Sequence, residues 1–312
     1  MLNVARLLKD MKIYTLNQYL QDTFGQKLYK IALDGGFTCP NRDGTIDTRG
    51  CIFCSGAGSG EFAGNRAMSI TRQIEEGKNR VAGKIKDGRY IAYFQAFTNT
   101  YAPVERLRAL YMEAIGHQDI AVLSVATRPD CLPDEVLELL CECSQIKPVW
   151  VELGLQTIHA ATAKYIRRGY PLSVYDDAVN RLKARGLEVI VHVMLGLPGE
   201  TRQDMLDTVS YVGKSHADGI KLQLLHVIRG TDLEKDYLEG KFETLTLESY
   251  VELVADCIAL LPESIVIHRM TGDGDKRTLV APMWSADKKR VLNAIHRVVL
   301  QRDRNEGESR KC

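Results

Sequence analysis

Cys39, Cys51 and Cys54 stand as Cys-x11-Cys-x2-Cys within residues 35–54, a stretch rich in glycine and aspartate. Thiolates are soft ligands that hold soft metals or iron–sulfur clusters. Three thiolates rather than four carry a chemical meaning. A four-iron cluster held by three cysteines leaves one iron free to bind a reagent. A structural zinc site instead takes four ligands, usually as two close pairs. Here Cys51 and Cys54 make one pair, Cys39 stands alone, and Asp43 or Asp47 would have to complete a zinc site. The other cysteines offer less. Cys141 and Cys143 lie two apart on an expected helix, about 200° around it, too far to share a metal easily. Cys257 sits in an apolar helical run and reads as core. Cys131 begins the unit that holds Cys141 and Cys143, and Cys312 ends the chain.

Other polar residues stand at ends of apolar runs. Pro129 pushes Arg128 away from helix, which places Arg128 and Asp130 in a loop where they could touch a ligand. A charge role at a helix N-terminus is the alternative for Asp130. Glu152 is a lone carboxylate inside an apolar run. Burial is costly without a partner, and Arg128 is a candidate. Gln156 ends that run. Arg168 follows twelve residues later, with Arg167 beside it. Thr98, Asn99 and Thr100 end another run. His192 lies inside an apolar run, four residues before Gly196, and both Gly196 and Gly199 permit close backbone approach to a ligand. Residues 268–274 form a polar, glycine-rich loop with Arg269 and Asp273, read as facing substrate; a plain turn is the alternative.

The elements that must position these residues alternate. Apolar, β-rich runs cover 28–34, 90–97, 120–127, 149–155, 188–195, 219–227 and 264–268. They are near-continuous rather than alternating, the pattern of parallel strands. Helical patterns fill 68–85, 104–115, 133–144, 158–168, 173–185, 202–215 and 246–260. Repeated β-then-α units imply a parallel sheet with right-handed crossovers, and their number points to an α/β fold, a full or partial (β/α) barrel with strands inside and helices outside. A doubly wound open sheet is the alternative. In such barrels ligands sit on the loops at the C-terminal ends of the strands. The first of these loops, 35–66, carries the cysteines and is too long to be only a connector. We divide the chain into a helical lead-in (1–27), the barrel (28–284), and a closing amphipathic helix with a basic tail (285–312). Val291, Leu292, Ile295, Val298 and Val299 share one face of that helix.

Taken together these strings resemble the radical S-adenosylmethionine (radical SAM) superfamily. Its usual spacing is Cys-x3-Cys-x2-Cys; longer first gaps occur in the branch that holds the elongator catalytic subunit. Gly-Phe-Thr-Cys-Pro-Asn-Arg-Asp-Gly-Thr (36–45), Phe-Gln-Ala-Phe-Thr-Asn-Thr-Tyr-Ala-Pro (94–103), Thr-Arg-Pro-Asp (127–130), Glu-Leu-Gly-Leu-Gln-Thr (152–157), His-Val-Met-Leu-Gly-Leu-Pro-Gly-Glu-Thr (192–201) and Arg-Gly-Thr (229–231) are similar to the YhcC/YtqA-like family, in order along almost the whole chain. The resemblance implies a [4Fe-4S] cluster on Cys39, Cys51 and Cys54, with S-adenosylmethionine on the fourth iron. It implies reductive cleavage to a 5′-deoxyadenosyl radical that removes a hydrogen atom from substrate. It implies cofactor contacts from Gln156 and Arg168, from the Thr98 segment, and from His192 towards the ribose. Arg128, Asp130, Arg269 and Asp273 are then the expected substrate-facing residues. The elongator-like branch implies tRNA as partner. The expected reaction trims a carboxymethylaminomethyl group on carbon 5 of the wobble uridine to aminomethyl. A reductant such as flavodoxin or ferredoxin is implied too. A small-molecule radical SAM enzyme and a zinc-stabilised RNA-binding module without catalysis are the rival readings.

Composition agrees with an ordinary globular protein, 45% apolar and 26% charged in 312 residues. No run of 18 apolar residues exists, so no membrane helix is expected. The N-terminal residues lack a signal-peptide core, and eight irregular cysteines do not make a disulfide scaffold. We expect a cytoplasmic protein. The net charge of +1 conceals an asymmetry: residues 276–312 hold ten Lys/Arg and four Asp/Glu, a local +6. A basic end suits a polyanion such as RNA; a solvated helix is the alternative.

Overall fold

A computed structural model describes residues 13–84, 88–272 and 274–309. Seven parallel strands form one sheet in the order β1-β2-β3-β4-β5-β6-β8. They are β1 (Tyr29–Leu33), β2 (Tyr90–Phe94), β3 (Ile120–Thr127), β4 (Val149–Gln156), β5 (Glu188–Leu195), β6 (Gly219–Leu224) and β8 (Val266–Arg269). Helices α1 (Leu16–Phe24), α2 (Ile70–Val81), α3 (Val104–Gly116), α4 (Asp134–Ser144), α5 (Ala160–Tyr165), α6 (Leu172–Lys183) and α7 (Arg202–Lys214) precede or join the first six strands. Helices α8 (Asp232–Leu238) and α9 (Leu247–Leu260) lie before β8, and α10 (Lys288–Ser309) closes the chain. Among the described residues β1 pairs only with β2 and β8 only with β6. The sheet therefore curls into a partial barrel with an open seam. The lead-in covers one edge of that seam: Thr15 bridges Ile267, whose N–H donates to Tyr14 O at 2.8 Å.

Side-chain alternation divides each strand between two environments. Outward residues such as Phe94, Leu123, Val151, Val191 and Leu222 join the helices in the main core. Inward residues stack in layers. Leu28, Ile91, Val122, Trp150 and Ile190 pack with Leu20 of α1 and close the end where the strands start. One step further along come Lys30, Tyr93, Ser124, Glu152, His192 and Lys221, joined by hydrogen bonds. Above that polar layer the interior opens.

Local signals explain the boundaries. Thr201 begins α7 with a reciprocal capping box to Asp204, and Thr15, Ser69, Thr231 and Thr246 cap α1, α2, α8 and α9. In α10, Val291, Ile295 and Val299 are buried and Leu292 and Val298 partly so. Two expectations need correction. The helix expected over 158–168 ends at Tyr165, because Arg167 and Gly169 take left-handed φ of +57° and +87°. The strand expected over 219–227 stops at Leu224; Val227–Ile228 (β7) pairs instead, antiparallel, with Leu279–Ala281 (β9). Strands of two and three residues are too short to show a period.

Candidate active site

The open end of the interior is a cavity of about 280 Å³ at the C-terminal ends of the strands. Cys39, Cys51, Cys54, Thr98, Arg128, Gln156, Arg168, His192 and Arg269 all line it. Asp130 does not; it stands behind Arg128, whose guanidinium it holds with two bonds of 2.9 and 2.7 Å. Burial opposes the Arg128 charge, but Asp130 outweighs it and holds the pKa above its ordinary value. Asp273 lies outside the described residues.

The cysteine loop is tied down mostly by groups other than its sulfurs, with one bond from Cys51 Sγ to Arg167 O at 3.7 Å. Asn41 Nδ2 donates to Arg167 O at 2.7 Å and to Arg168 O at 3.3 Å. Ile52 N–H donates to Ile166 O at 3.2 Å. Arg42 donates to the carbonyls of Cys54 and Ser55 at 2.8 and 2.6 Å, and its approach occupies the space beside Gly50, at φ +76°. The three sulfurs end at the cavity, free of disulfides. Three thiols at one cavity, with no histidine or fourth cysteine in their loop, suit a cluster with one open iron. Burial pushes the Cys51 thiol up to about 12 and raises Cys54 as well, so both require a cationic centre to ionise. Asn41 also donates to Cys51 Sγ at 3.5 Å, a contact that tunes a bound cluster.

Facing the sulfurs is the end of β4. Gln156 holds φ +63°, a left-handed conformation rare for a residue with a side chain, and the β4–β5 register slips between Gly154 and Gln156. With its amide oriented by its neighbours, Gln156 donates to Leu155 O and Gly154 O at 3.0 and 3.2 Å. Arg168 is 2% exposed. Its guanidinium donates to Leu155 O at 3.0 Å, Thr157 O at 2.5 Å and twice to Tyr170 O at 3.1 and 3.0 Å, over the Tyr170 ring. Burial lowers its pKa. Arg168 thus shapes the cavity wall and adds positive charge to it, with most donors already taken. Of the three polar residues after β2, Thr98 lines the cavity; Asn99 and Thr100 join β2 to β3 through Ala126 O and Thr127 Oγ1.

Three expectations change. Glu152 pairs not with Arg128 but with Lys30 at 2.9 Å and with Lys221, and accepts from Ser124 at 2.8 Å and His192 Nε2 at 2.7 Å. Burial disfavours its charge, yet Lys221 and Lys30 hold it well below the usual carboxylate range. Gly196 and Gly199, at φ +90° and +84°, serve the turn into α7 and do not line the cavity. His268 points into the interior below the cavity, against Trp150, while Arg269, Gly272, Gly274 and Asp275 line the cavity. Lys30 and Lys221 were missed, although each is a lone charge in an apolar strand run, the signal that singled out Glu152. Tyr170, Arg42 and His226 carried no such signal.

Known proteins match this arrangement. The Radical SAM superfamily profile matches residues 47–212, and the Radical_SAM C-terminal domain profile matches 217–300. The first match starts eight residues after Cys39, so it takes in Cys51 and Cys54 but not Cys39. The Bacillus subtilis protein YtqA is 46% identical over 299 residues, 96% of this chain and 93% of its own. Escherichia coli YhcC is 41% identical over 266 residues, 85% of each. The structure of archaeal Methanocaldococcus infernus Elp3 superposes with a TM-score of 0.66 at 16% identity, over 90% of this chain and 63% of that one. Cavity, thiol trio and matched profiles lead to one conclusion: the chain belongs to the radical SAM superfamily and is a radical SAM enzyme.

Proposed function

We propose that this enzyme acts on tRNA, at the carbon-5 side chain of the wobble uridine, and shortens carboxymethylaminomethyl to aminomethyl. The observation that carries the tRNA reading is kinship. A Methanocaldococcus jannaschii protein named tRNA uridine(34) acetyltransferase is 28% identical over 165 residues, 52% of this chain and 30% of its own. The basic end of the chain, +6 over residues 276–312, supports a polyanionic partner.

Cys39, Cys51 and Cys54 would hold the four-iron cluster, and the loop bonds of Asn41 and Arg42 orient them. Bound there, the cluster and S-adenosylmethionine would supply radical abstraction of a hydrogen atom from substrate. In our assignment Gln156, Thr98 and His192 bind the cofactor. Arg168 supports it by its charge and by fixing the carbonyls at the end of β4. Arg128, held by Asp130, and Arg269 face substrate. The walls exclude water and oxygen from the reacting atoms. A flavodoxin or ferredoxin delivers the electron, and we place the enzyme in the cytoplasm. Among the described residues no helix is long and apolar enough to cross a membrane.

The test is a modified-nucleoside profile of a deletion strain. We expect carboxymethylaminomethyl-uridine to accumulate and its aminomethyl derivatives to disappear. A profile identical to the parent sinks the tRNA assignment. Anaerobic reconstitution tests the cluster: about four iron and four sulfide per chain, lost in Cys51→Ala; a colourless protein holding one zinc overturns it.

A further inference from the structure

Residues 55–66, the second half of the cysteine loop, hold an aromatic ring out in solvent at the rim of the cavity. Phe62 is 48% exposed, the one exposed aromatic side chain among the described residues. Ser55, Gly58, Ser59 and Glu61 beside it line the cavity. The loop that carries it is fixed. Gly58 O accepts from Phe97 N–H at 2.9 Å, Ser59 O accepts from Gln95 Nε2 at 2.7 Å, and Gly64 N–H donates to Ala32 O at 2.9 Å. Gly58 and Gly60 lie so close to Phe97 and Ala96 that a side chain on either would collide. A single exposed apolar residue needs no explanation by itself, but Phe62 has company. Phe97 lines the cavity at φ +62°, an outlier for a bulky residue, and strain of this kind gathers at functional sites. The guanidinium groups of Arg42 and Arg66 each lie 5.9 Å from the centre of its ring. The Arg66 side chain is 58% exposed and reaches Asp34 at 3.4 Å. Glu61, the acid at the same rim, is bound by Ser55 Oγ.

Aromatic rings and arginines around one opening are the chemistry that binds single-stranded nucleic acid. A base stacks on a ring, and a guanidinium meets a phosphate or stacks as well. The cavity, at about 280 Å³, admits no more than one nucleotide. The neighbours of a reacting nucleotide must then lie on its rim. We propose that Phe62 is a stacking platform for the base next to the reacting nucleotide in a single-stranded RNA loop, with Arg66 on the adjoining phosphate. The inference rests on the reading of tRNA as substrate, and it names the part of the protein that meets RNA outside the cavity. Phe97, packed on Gly58 with Arg42 and Arg66 beside it, backs the platform from the cavity wall. Phe62 stays exposed in the free enzyme because its partner is a base that arrives with substrate. Every base offers a face to stack on, so the platform sets the register of the strand and leaves the choice of nucleotide to the cavity.

The full chain with its cluster reconstituted tests this against an anticodon stem-loop RNA. Phe62→Leu keeps an apolar side chain and loses the stacking face. We expect its RNA affinity to fall about tenfold, with S-adenosylmethionine affinity and circular dichroism unchanged. Phe62→Trp should bind like the wild type, and its indole fluorescence should be quenched by RNA beyond any change from the native Trp150 and Trp284. An abasic residue beside the wobble position should cost the wild type about tenfold and cost Phe62→Leu nothing further. Arg66→Gln should reduce the slope of the salt dependence by about one. Wild-type RNA affinity in Phe62→Leu, or an unquenched indole at saturating RNA, overturns the platform. So does a wild-type enzyme that does not bind the stem-loop. Binding is read here without turnover. These losses of affinity with a nucleoside profile identical to the parent would remove the wobble-uridine reaction and leave the platform. A shifted profile with unchanged affinity in Phe62→Leu would do the reverse.

Discussion

The polar layer makes pH a direct probe of single residues. His192 is held down at about 4 from an ordinary 6.5. Between those values the unfolded chain binds a proton that the folded chain refuses, so stability falls as pH falls from 6.5 to 4. The loss attributable to this one ring is about 3 kcal/mol. Urea unfolding at several pH values should show it, and His192→Gln should flatten the slope in that window. Glu152 acts at lower pH with its own sign. Its pKa is depressed in the folded state, so its contribution is present above the ordinary carboxylate range and is lost as pH drops below it. Removing one partner of a buried pair leaves a charge without compensation and costs about 3–5 kcal/mol. We expect Glu152→Gln to lose that much in the same urea assay at pH 7. A loss under 1 kcal/mol would show that the layer is neutral and not ionic.

Among the elements, the end of β4 concentrates the residues assigned above to the cofactor. Gln156 keeps a left-handed backbone that costs about 1–3 kcal/mol, and Gly196, Gly199 and Gly169 take such angles nearby without that cost. Gln156→Gly should therefore raise thermal stability slightly while weakening S-adenosylmethionine binding by about tenfold or more, the loss of one good hydrogen bond. Calorimetric titration of the reconstituted protein measures the second effect; unchanged affinity would remove Gln156 from the cofactor site. The strands and their C-terminal loops were legible because parallel strands read as unbroken apolar runs, and each observed strand of the main sheet lies within or close to its expected span. What was not legible was side-chain partnership. Glu152 was recognised as needing a partner, but the partner comes from β1 and β6, 122 and 69 residues away in sequence. Spacing along the chain says nothing of that. Likewise Asp130 looked like a wall residue until its bonds to Arg128 turned it outward.

At the scale of the whole molecule the open seam matters most. A closed barrel has no edges, whereas among the described residues β1 has no second strand beside it and β8 has only the Thr15 bridge on its outer side. Thr15 and Tyr14 cover β8, and α1 closes the lower end with Leu20. Exposed edges recruit other strands. Deleting residues up to Phe24 should produce a protein that associates in a concentration-dependent way, seen by light scattering; a monomeric truncation would show that another element protects the edge. Charge is uneven at this scale too, yet part of the basic end is already used: Arg302 pairs with Glu252 and Asp256 of α9.

The cysteine loop is sewn to residues 166–168 by Asn41 and Ile52, and to its own far end by Arg42. One further bond, from Cys51 Sγ to Arg167 O at 3.7 Å, passes through a sulfur, and the rest do not. We therefore expect the loop to keep its shape without the cluster proposed for it, so that such a centre can be rebuilt in place rather than the molecule discarded. For an enzyme whose metal is its most perishable part, that is a capacity for repair.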